Sequence, residues 1–203
     1  MKKITFILFL LFSTINTFSQ KNSYGLLLGA NAYDVQISNV GNSGSYSKYN
    51  IGGFFEHQMS NRFGAKSYLL YSNTDNGDYI FYSNPDFNFK NTESKTLQLH
   101  LLIKYDVSKE YNKGFYILGG LRGTQLLNVE SDRFNNLDDE FFKKTNYGIL
   151  LGVGVNFAKH FSLELLGDRN ITNPNRSDNY KAKNLGAYLN FLINIESLLK
   201  NNQ

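Results

Sequence analysis

Eight segments of this chain alternate apolar and polar residues with a period of two: 23–36, 49–59, 63–72, 95–107, 114–128, 146–157, 161–172 and 183–195. A period of two belongs to β-strands, and its persistence over such lengths narrows the choice. Soluble strands usually run ~5–6 residues, whereas ~9–11 residues carry a tilted strand across a bilayer. The connections alternate as well. Ser60-Asn61-Arg62, residues 108–113 and Ala158-Lys159-His160 are short, while 37–48, 73–94, 129–145 and 173–182 are long and polar. Short turns join antiparallel neighbours. The expected fold is all-β, an eight-stranded antiparallel up-and-down transmembrane β-barrel, with short turns and both termini in the periplasm and long loops outside.

One parity of each strand is almost continuously apolar, as in Leu97, Leu99, Leu101, Ile103, Tyr105 and Val107, or Leu185, Ala187, Leu189, Phe191, Ile193 and Ile195. The other parity is mixed, as in Gln98, His100, Leu102, Lys104 and Asp106. Alternation alone allows either face to point inward, and two features decide. The mixed parity carries Gly52, Gly64, Gly120, Gly148, Gly152, Gly154 and Gly186, which suit the narrow interior of an eight-stranded barrel. Aromatics of the apolar parity gather at the short-turn end, at Phe63, Tyr105, Phe115, Phe157, Phe161 and Phe191, with Tyr49, Tyr71 and Tyr147 toward the other end. Two aromatic belts are what membrane interfaces select. The last strand adds Asn184, Gly186, Leu189 and Phe191, a polar-x-Gly-x-x-hydrophobic-x-aromatic pattern expected to be read by the barrel assembly machinery, although the chain continues to Gln203.

Lys2 and Lys3 precede an apolar run from Ile4 to Phe12, and a polar stretch follows, ending in Thr17-Phe18-Ser19-Gln20. This layout predicts a signal peptide, residues 1–19, cut after Ser19, with residues 20–203 forming one barrel domain. The run is shorter than the ~20 residues a transmembrane helix needs. The chain has no cysteine, so neither a cysteine-linked lipid anchor nor a disulfide contributes. Removing the leader removes two lysines and no acid, and the formal charge falls from +4 to +2. A chain so close to neutral argues against nucleic acid as a partner.

Tyr24-Gly25-Leu26-Leu27-Leu28-Gly29-Ala30-Asn31, the hairpin Ile51–Tyr71, Leu97–Tyr105, Gly148-Ile149-Leu150-Leu151-Gly152-Val153-Gly154 and Phe161-Ser162-Leu163-Glu164-Leu165 resemble the PorT-like outer-membrane β-barrel proteins over nearly all of the mature chain. The resemblance implies an eight-stranded outer-membrane barrel without enzyme activity, and some members assist protein secretion. No motif in this chain transfers that secretion role.

The tight turn at Ser60-Asn61-Arg62 sets a register in which Glu56 faces Lys66 on the inward parity. An interior ion pair is expected, because charges in a narrow lumen need partners; a role in gating is the alternative. His100, Lys104, Arg122, Glu164 and Asp168 are also inward and are expected to extend a polar network. A barrel hydrolase needs a nucleophile beside a histidine. His57 falls on the outward parity and His160 in a turn, which leaves His100 as a hydrogen-bonded lumen residue rather than a base. Three scattered histidines do not make a transition-metal site. Gly152-Val153-Gly154 lacks the third glycine and the following helix of a nucleotide loop. Asp132, Asp138, Asp139 and Glu140 form a solvated acidic loop or, less simply, a calcium site. Lys90, Lys95, Lys143, Lys144, Arg169, Arg176, Lys181 and Lys183 lie at or above the outer rim, at the height of lipopolysaccharide phosphates.

Three function classes follow. The first is a structural, interaction or secretion-accessory barrel of the envelope, whose partners are outer-membrane lipid, lipopolysaccharide and envelope proteins. The second is a small-solute channel and the third a lipid-modifying enzyme. Inward Leu27, Leu102, Leu118, Leu150 and Leu166 argue for a plugged lumen, no catalytic triad is evident, and no cofactor is implied. The first class is the expectation.

Overall fold

The computed structural model describes residues 22–37, 40–42, 47–81, 89–108, 110–132, 142–176 and 181–200. Within these lie nine strands: β1 (Asn22–Ile37), β2 (Val40–Asn42), β3 (Lys48–Gln58), β4 (Phe63–Phe81), β5 (Phe89–Asp106), β6 (Gly114–Glu130), β7 (Thr145–Ala158), β8 (Phe161–Asn170) and β9 (Ala182–Asn194). One helix follows, α1 (Ile195–Lys200). Eight long strands pair antiparallel in the order β4-β3-β1-β9-β8-β7-β6-β5, and a β4–β5 pairing closes the ring. The fold is thus a closed eight-stranded antiparallel barrel.

Three expectations are corrected. Residues 73–94 are not simply a loop: β4 continues to Phe81 and β5 begins at Phe89, so most of this polar stretch is a raised hairpin. Its pairing shifts register around Gly77, which has φ 72°. The 37–48 connection carries β2, which pairs with the far end of β4 from Val40↔Phe81 to Asn42↔Tyr79. The tail is α1 rather than strand end: Asn194 caps it, its Oδ1 accepting the Ser197 N–H at 3.1 Å, as an N-cap side chain does. Ser197 Oγ also meets His160 Nδ1 at 2.6 Å, tying the helix to the β7–β8 turn.

The burial pattern is inverted relative to a soluble protein. Lys104, Asp106 and His100 are fully buried, whereas Leu151 is 67 % and Leu185 62 % exposed. Apolar side chains clad the outside, where a lipid environment replaces water. Phe63 and Tyr105 rings lie 5.0 Å apart, and Phe161 stacks on both Phe157 and Phe191 at 6.2 and 5.6 Å. With exposed Phe115 they girdle the short-turn end. Tyr147 and Phe157 mark opposite ends of the β7 outer face. They stand roughly 33 Å apart along the strand at ~3.3 Å per residue, which at a tilt of ~40° spans the roughly 25 Å apolar band of such barrels.

Candidate functional site: the lumen

Buried side chains from all eight long strands fill the lumen and build two polar clusters. The first lies at the short-turn end. The β3–β4 register sets Glu56 opposite Lys66, but each has a nearer partner. Lys66 Nζ is 2.6 Å from Glu164 and 3.2 Å from Glu56. Lys104 Nζ is 2.9 Å from Glu56 and 3.5 Å from Asp106, and it also donates to Asn112. Glu56–Lys66 is therefore one link of a chain, Glu164–Lys66–Glu56–Lys104–Asp106. Tyr68 and Tyr116 both donate to Glu164, at 2.5 and 2.8 Å. The Lys104 ammonium sits 4.4 Å from the ring centroids of Tyr111 and Tyr116, where the ring quadrupole adds attraction.

The second cluster lies toward the long loops. Arg122 Nε is 2.9 Å from Asp168 Oδ2, and its other nitrogens donate to Asn170 at 2.5 Å, Asn146 at 3.0 Å and Thr124. Tyr33 donates to Asp168 at 2.5 Å, and its hydroxyl oxygen lies against that of Tyr188. Tyr188 donates to Gln98 Oε1 at 2.8 Å, and His100 Nε2 lies 3.0 Å from the same oxygen. Because that oxygen can only accept, the His100 proton belongs on Nε2. Its Nδ1 then faces the buried interior without a hydrogen-bond partner, and Gln98 is the one side chain it meets through a ring nitrogen among the described residues. Leu27, Leu70, Leu102, Leu118, Leu150, Leu166 and Leu192, each 2 % exposed or less, fill the space around and between the clusters.

Three hydrogen bonds cross the full diameter. β4 and β8 have three strands between them in either direction around the ring, and so do β5 and β9. Lys66–Glu164 and Tyr68–Glu164 join the first pair and Tyr188–Gln98 the second. The glycines explain how such side chains fit. A Cβ on Gly154 would lie 2.3 Å from the Tyr116 ring, and one on Gly186 2.4 Å from the Tyr33 ring. Each tyrosine lies flat over a cross-strand glycine, Tyr116 over Gly154 and Tyr33 over Gly186, and from there reaches an acid on β8. Gly186 of the last-strand pattern therefore has a packing role of its own. Asn184 is half-buried near the loop end, and Leu189 and Phe191 face outward.

Cavities inside the barrel are small. One of about 30 Å³ adjoins Glu56, Lys66 and Asn112, and one of about 50 Å³ adjoins Tyr33, Gln98 and Arg122, each room for a water or two. A wider depression of about 890 Å³ opens at the short-turn mouth, lined by Tyr111, Asn112, Asn156 and Glu196 among others. Tyr33, Tyr68, Tyr116 and Tyr188 are lumen residues absent from the sequence reading, and Gln98 and Asp106 stood there on the inward parity but outside the expected network; shared inward parity was the available signal.

Above the membrane band, Lys48 Nζ meets Glu93 at 2.5 Å and Lys95 meets Glu130 at 2.8 Å. The hydrogen bond from Lys48 holds the Glu93 carboxyl below the usual carboxylate range. Of the acidic loop, Asp132 accepts the Lys90 N–H at 2.7 Å, while Asp138, Asp139 and Glu140 lie outside the described residues. His57 is outward and bonds Asn22 at 2.6 Å. No group of three or more His, Cys, Asp or Glu positioned to hold a metal occurs among the described residues.

A family model for the outer membrane protein beta-barrel domain matches residues 18–174. This chain belongs to that family. As an outer membrane beta-barrel it is similar in fold to Ail, the attachment invasion locus protein of Yersinia pestis, at 11% identity over 86% of this chain and 99% of that chain, with a TM-score of 0.52. It is likewise similar to the outer membrane protein OprG from Pseudomonas aeruginosa, at 14% identity over 86% of this chain and 92% of that chain, with a TM-score of 0.50. Among curated proteins, none matches the sequence.

Proposed function

We propose that this outer-membrane barrel is a non-enzymatic scaffold of the cell envelope, acting through its exposed surfaces rather than through its lumen. The observation that carries the reading is the diametral Lys66–Glu164 bridge at 2.6 Å, with both side chains buried. A solute path would have to break it and strand both charges. The small-solute channel is disfavoured for that reason. The lipid-modifying enzyme is disfavoured because His100, the inward histidine, faces an amide rather than a nucleophile.

In this reading residues 1–19 are a signal peptide cut after Ser19, the short turns and termini are periplasmic, and the barrel assembly machinery reads Asn184, Gly186, Leu189 and Phe191. The resemblance to PorT-like barrels, some of which assist secretion, makes a secretion-accessory role one form of this scaffold, although no motif in the chain transfers it. The test is electrical. Purified protein in planar bilayers is expected to show no single-channel steps, and reproducible wild-type conductance would overturn the scaffold reading.

A further inference from the structure

The outer part of the barrel wall is unevenly charged. On the β3–β6 side two lysines are matched: Lys48 to Glu93 at 2.5 Å and Lys95 to Glu130 at 2.8 Å. On the β8–β9 side Arg169 and Lys183 are exposed on the lipid-facing parity. Neither side chain makes an ion pair or hydrogen bond among the described residues. Asp34 on adjoining β1 stands opposite Leu185, in the Arg169 row and diagonal to Lys183, and its carboxylate accepts from Gln36 Nε2 at 3.0 Å. Arg169 lies in a row with Ile149 and Leu185 as its cross-strand neighbours, both more than half exposed. A cation in such a row reaches along its apolar stem toward the membrane surface, where an anion with bidentate oxygens would satisfy it.

The next row toward the bilayer centre reads Leu151, Gly167, Ala187 and Ala32 across β7, β8, β9 and β1. Three small residues in succession leave a shallow trough beside Leu151, which stands 67 % exposed. The barrel itself does not demand this smallness. A Cβ on Gly167 would meet only the Leu151 carbonyl oxygen, at an ordinary 3.5 Å, whereas the inward Gly154 and Gly186 have no room for one.

We propose that Arg169 and Lys183 bind the phosphate of a phosphorylated outer-leaflet glycolipid of the lipid A type, with one acyl chain lying in the trough over Gly167, Ala187 and Ala32. Anionic headgroup above and hydrocarbon below match the cations and the trough in sign and height. This site rests on the reading that the long-loop end faces outward.

The experiment titrates the refolded barrel in detergent with bisphosphorylated lipid A, with its dephosphorylated counterpart and with inorganic phosphate, counting bound molecules by native mass spectrometry. Wild type is expected to retain the bisphosphorylated lipid, and R169Q/K183Q to retain it about tenfold less, the worth of roughly one charge-assisted contact. G167L, which fills the trough and leaves the charges, should also lose retention, while K95Q on the matched side should not. Equal retention by wild type and R169Q/K183Q overturns the proposal, as does equal retention of the dephosphorylated lipid. Inorganic phosphate binding as tightly as lipid A overturns the acyl trough. Heat-modifiable mobility verifies the fold of each variant, and K183Q alone, near the start of β9, serves if the double variant fails to fold. Orientation is read separately. The chain has no cysteine, so K143C gives a single exposed thiol on a long loop. Labelling on intact cells by an impermeant maleimide supports the outward reading. Its absence overturns that reading without touching the affinity measured in detergent.

Discussion

At the short-turn end of the lumen three carboxylates, Glu56, Asp106 and Glu164, surround two ammonium groups, Lys66 and Lys104. Toward the long loops one guanidinium meets one carboxylate, and the remaining partners of Arg122 and Asp168 are amides and hydroxyls. Both clusters use the same placement device, a tyrosine over a cross-strand glycine feeding its hydroxyl to an acid on β8. They differ in how charge is compensated. In the first, each ammonium bridges two carboxylates, so losing Lys66 takes a cation from both Glu164 and Glu56. In the second, neutral dipoles share the load, so losing one ion leaves the other partly solvated by protein. Low local dielectric makes an unpaired charge far more costly than an unpaired dipole.

The largest effect should come from the charge-dense cluster. Lys66→Met leaves Glu164 without its cation and is expected to destabilise the barrel by about 3–5 kcal/mol, read as the urea midpoint of refolded protein by heat-modifiable mobility. Adding Glu164→Gln should recover most of the loss, because the amide oxygen still accepts from one of Tyr68 and Tyr116 and the NH2 donates to the hydroxyl oxygen of the other. Adding Glu56→Leu should recover less, since Lys104 then loses its nearest carboxylate. Equal rescue by either would dissolve the ordered chain of contacts.

Arg122→Gln tests the other side of the comparison. Arg122 is paired with a single carboxylate, which keeps the Tyr33 hydroxyl at 2.5 Å, whereas Lys66 serves two, so the expected loss is smaller, about 2–3 kcal/mol. A loss as large as that of Lys66→Met would show that the amides do not buffer the pair.

Gly186→Ala should cost about 1–3 kcal/mol, as overpacking does, by lifting Tyr33 off its seat. It also separates two roles of one glycine. If packing alone matters, Tyr33→Leu combined with Gly186→Ala refolds better in vitro than Gly186→Ala alone, and membrane yield in cells follows. Poor yield in cells despite good refolding in vitro would assign Gly186 to recognition by the assembly machinery.

The smallest effect belongs to the outer hairpin. Lys48→Met should lower stability by only a few tenths of a kcal/mol, since the pair is about a third exposed and solvent screens it. The Glu93 carboxyl titrates below its ordinary range in the folded barrel. The contribution is therefore present at neutral pH, begins to fade below the ordinary carboxylate range and is gone once pH falls through the depressed folded value. A variant whose urea midpoint follows the same acid limb as wild type would remove this pair from the account.

Much of the barrel was legible because lipid imposes a strict two-residue alternation, and it faded where lipid ends. Residues 73–81, Asn73-Thr74-Asp75-Asn76-Gly77-Asp78-Tyr79-Ile80-Phe81, form strand with no apolar parity over their first half, so the extended hairpin left no periodic trace. Hairpin register could be read from the Ser60-Asn61-Arg62 turn, which put Glu56 across from Lys66. Contacts across the lumen could not. Which residue of β8 stands opposite Lys66 depends on the stagger accumulated around the whole ring, and no single turn encodes it. The same holds for Tyr33 over Gly186: the glycine was visible as a small inward residue, but the ring above it comes from the far end of the chain. The Asn194-x-x-Ser197 cap of α1 was a local signal, overlooked at the end of a long alternating run.

The three diametral contacts join residues separated by 98, 96 and 90 positions along the chain. None can form until β8 or β9 stands across the lumen from β4 or β5, so all belong to the last stage of closure. Interactions absent from a folding transition state change the escape rate and scarcely touch the entry rate. The polar spokes of this lumen thus act on time: they leave the speed of insertion nearly unchanged and lengthen the life of the barrel once it has closed.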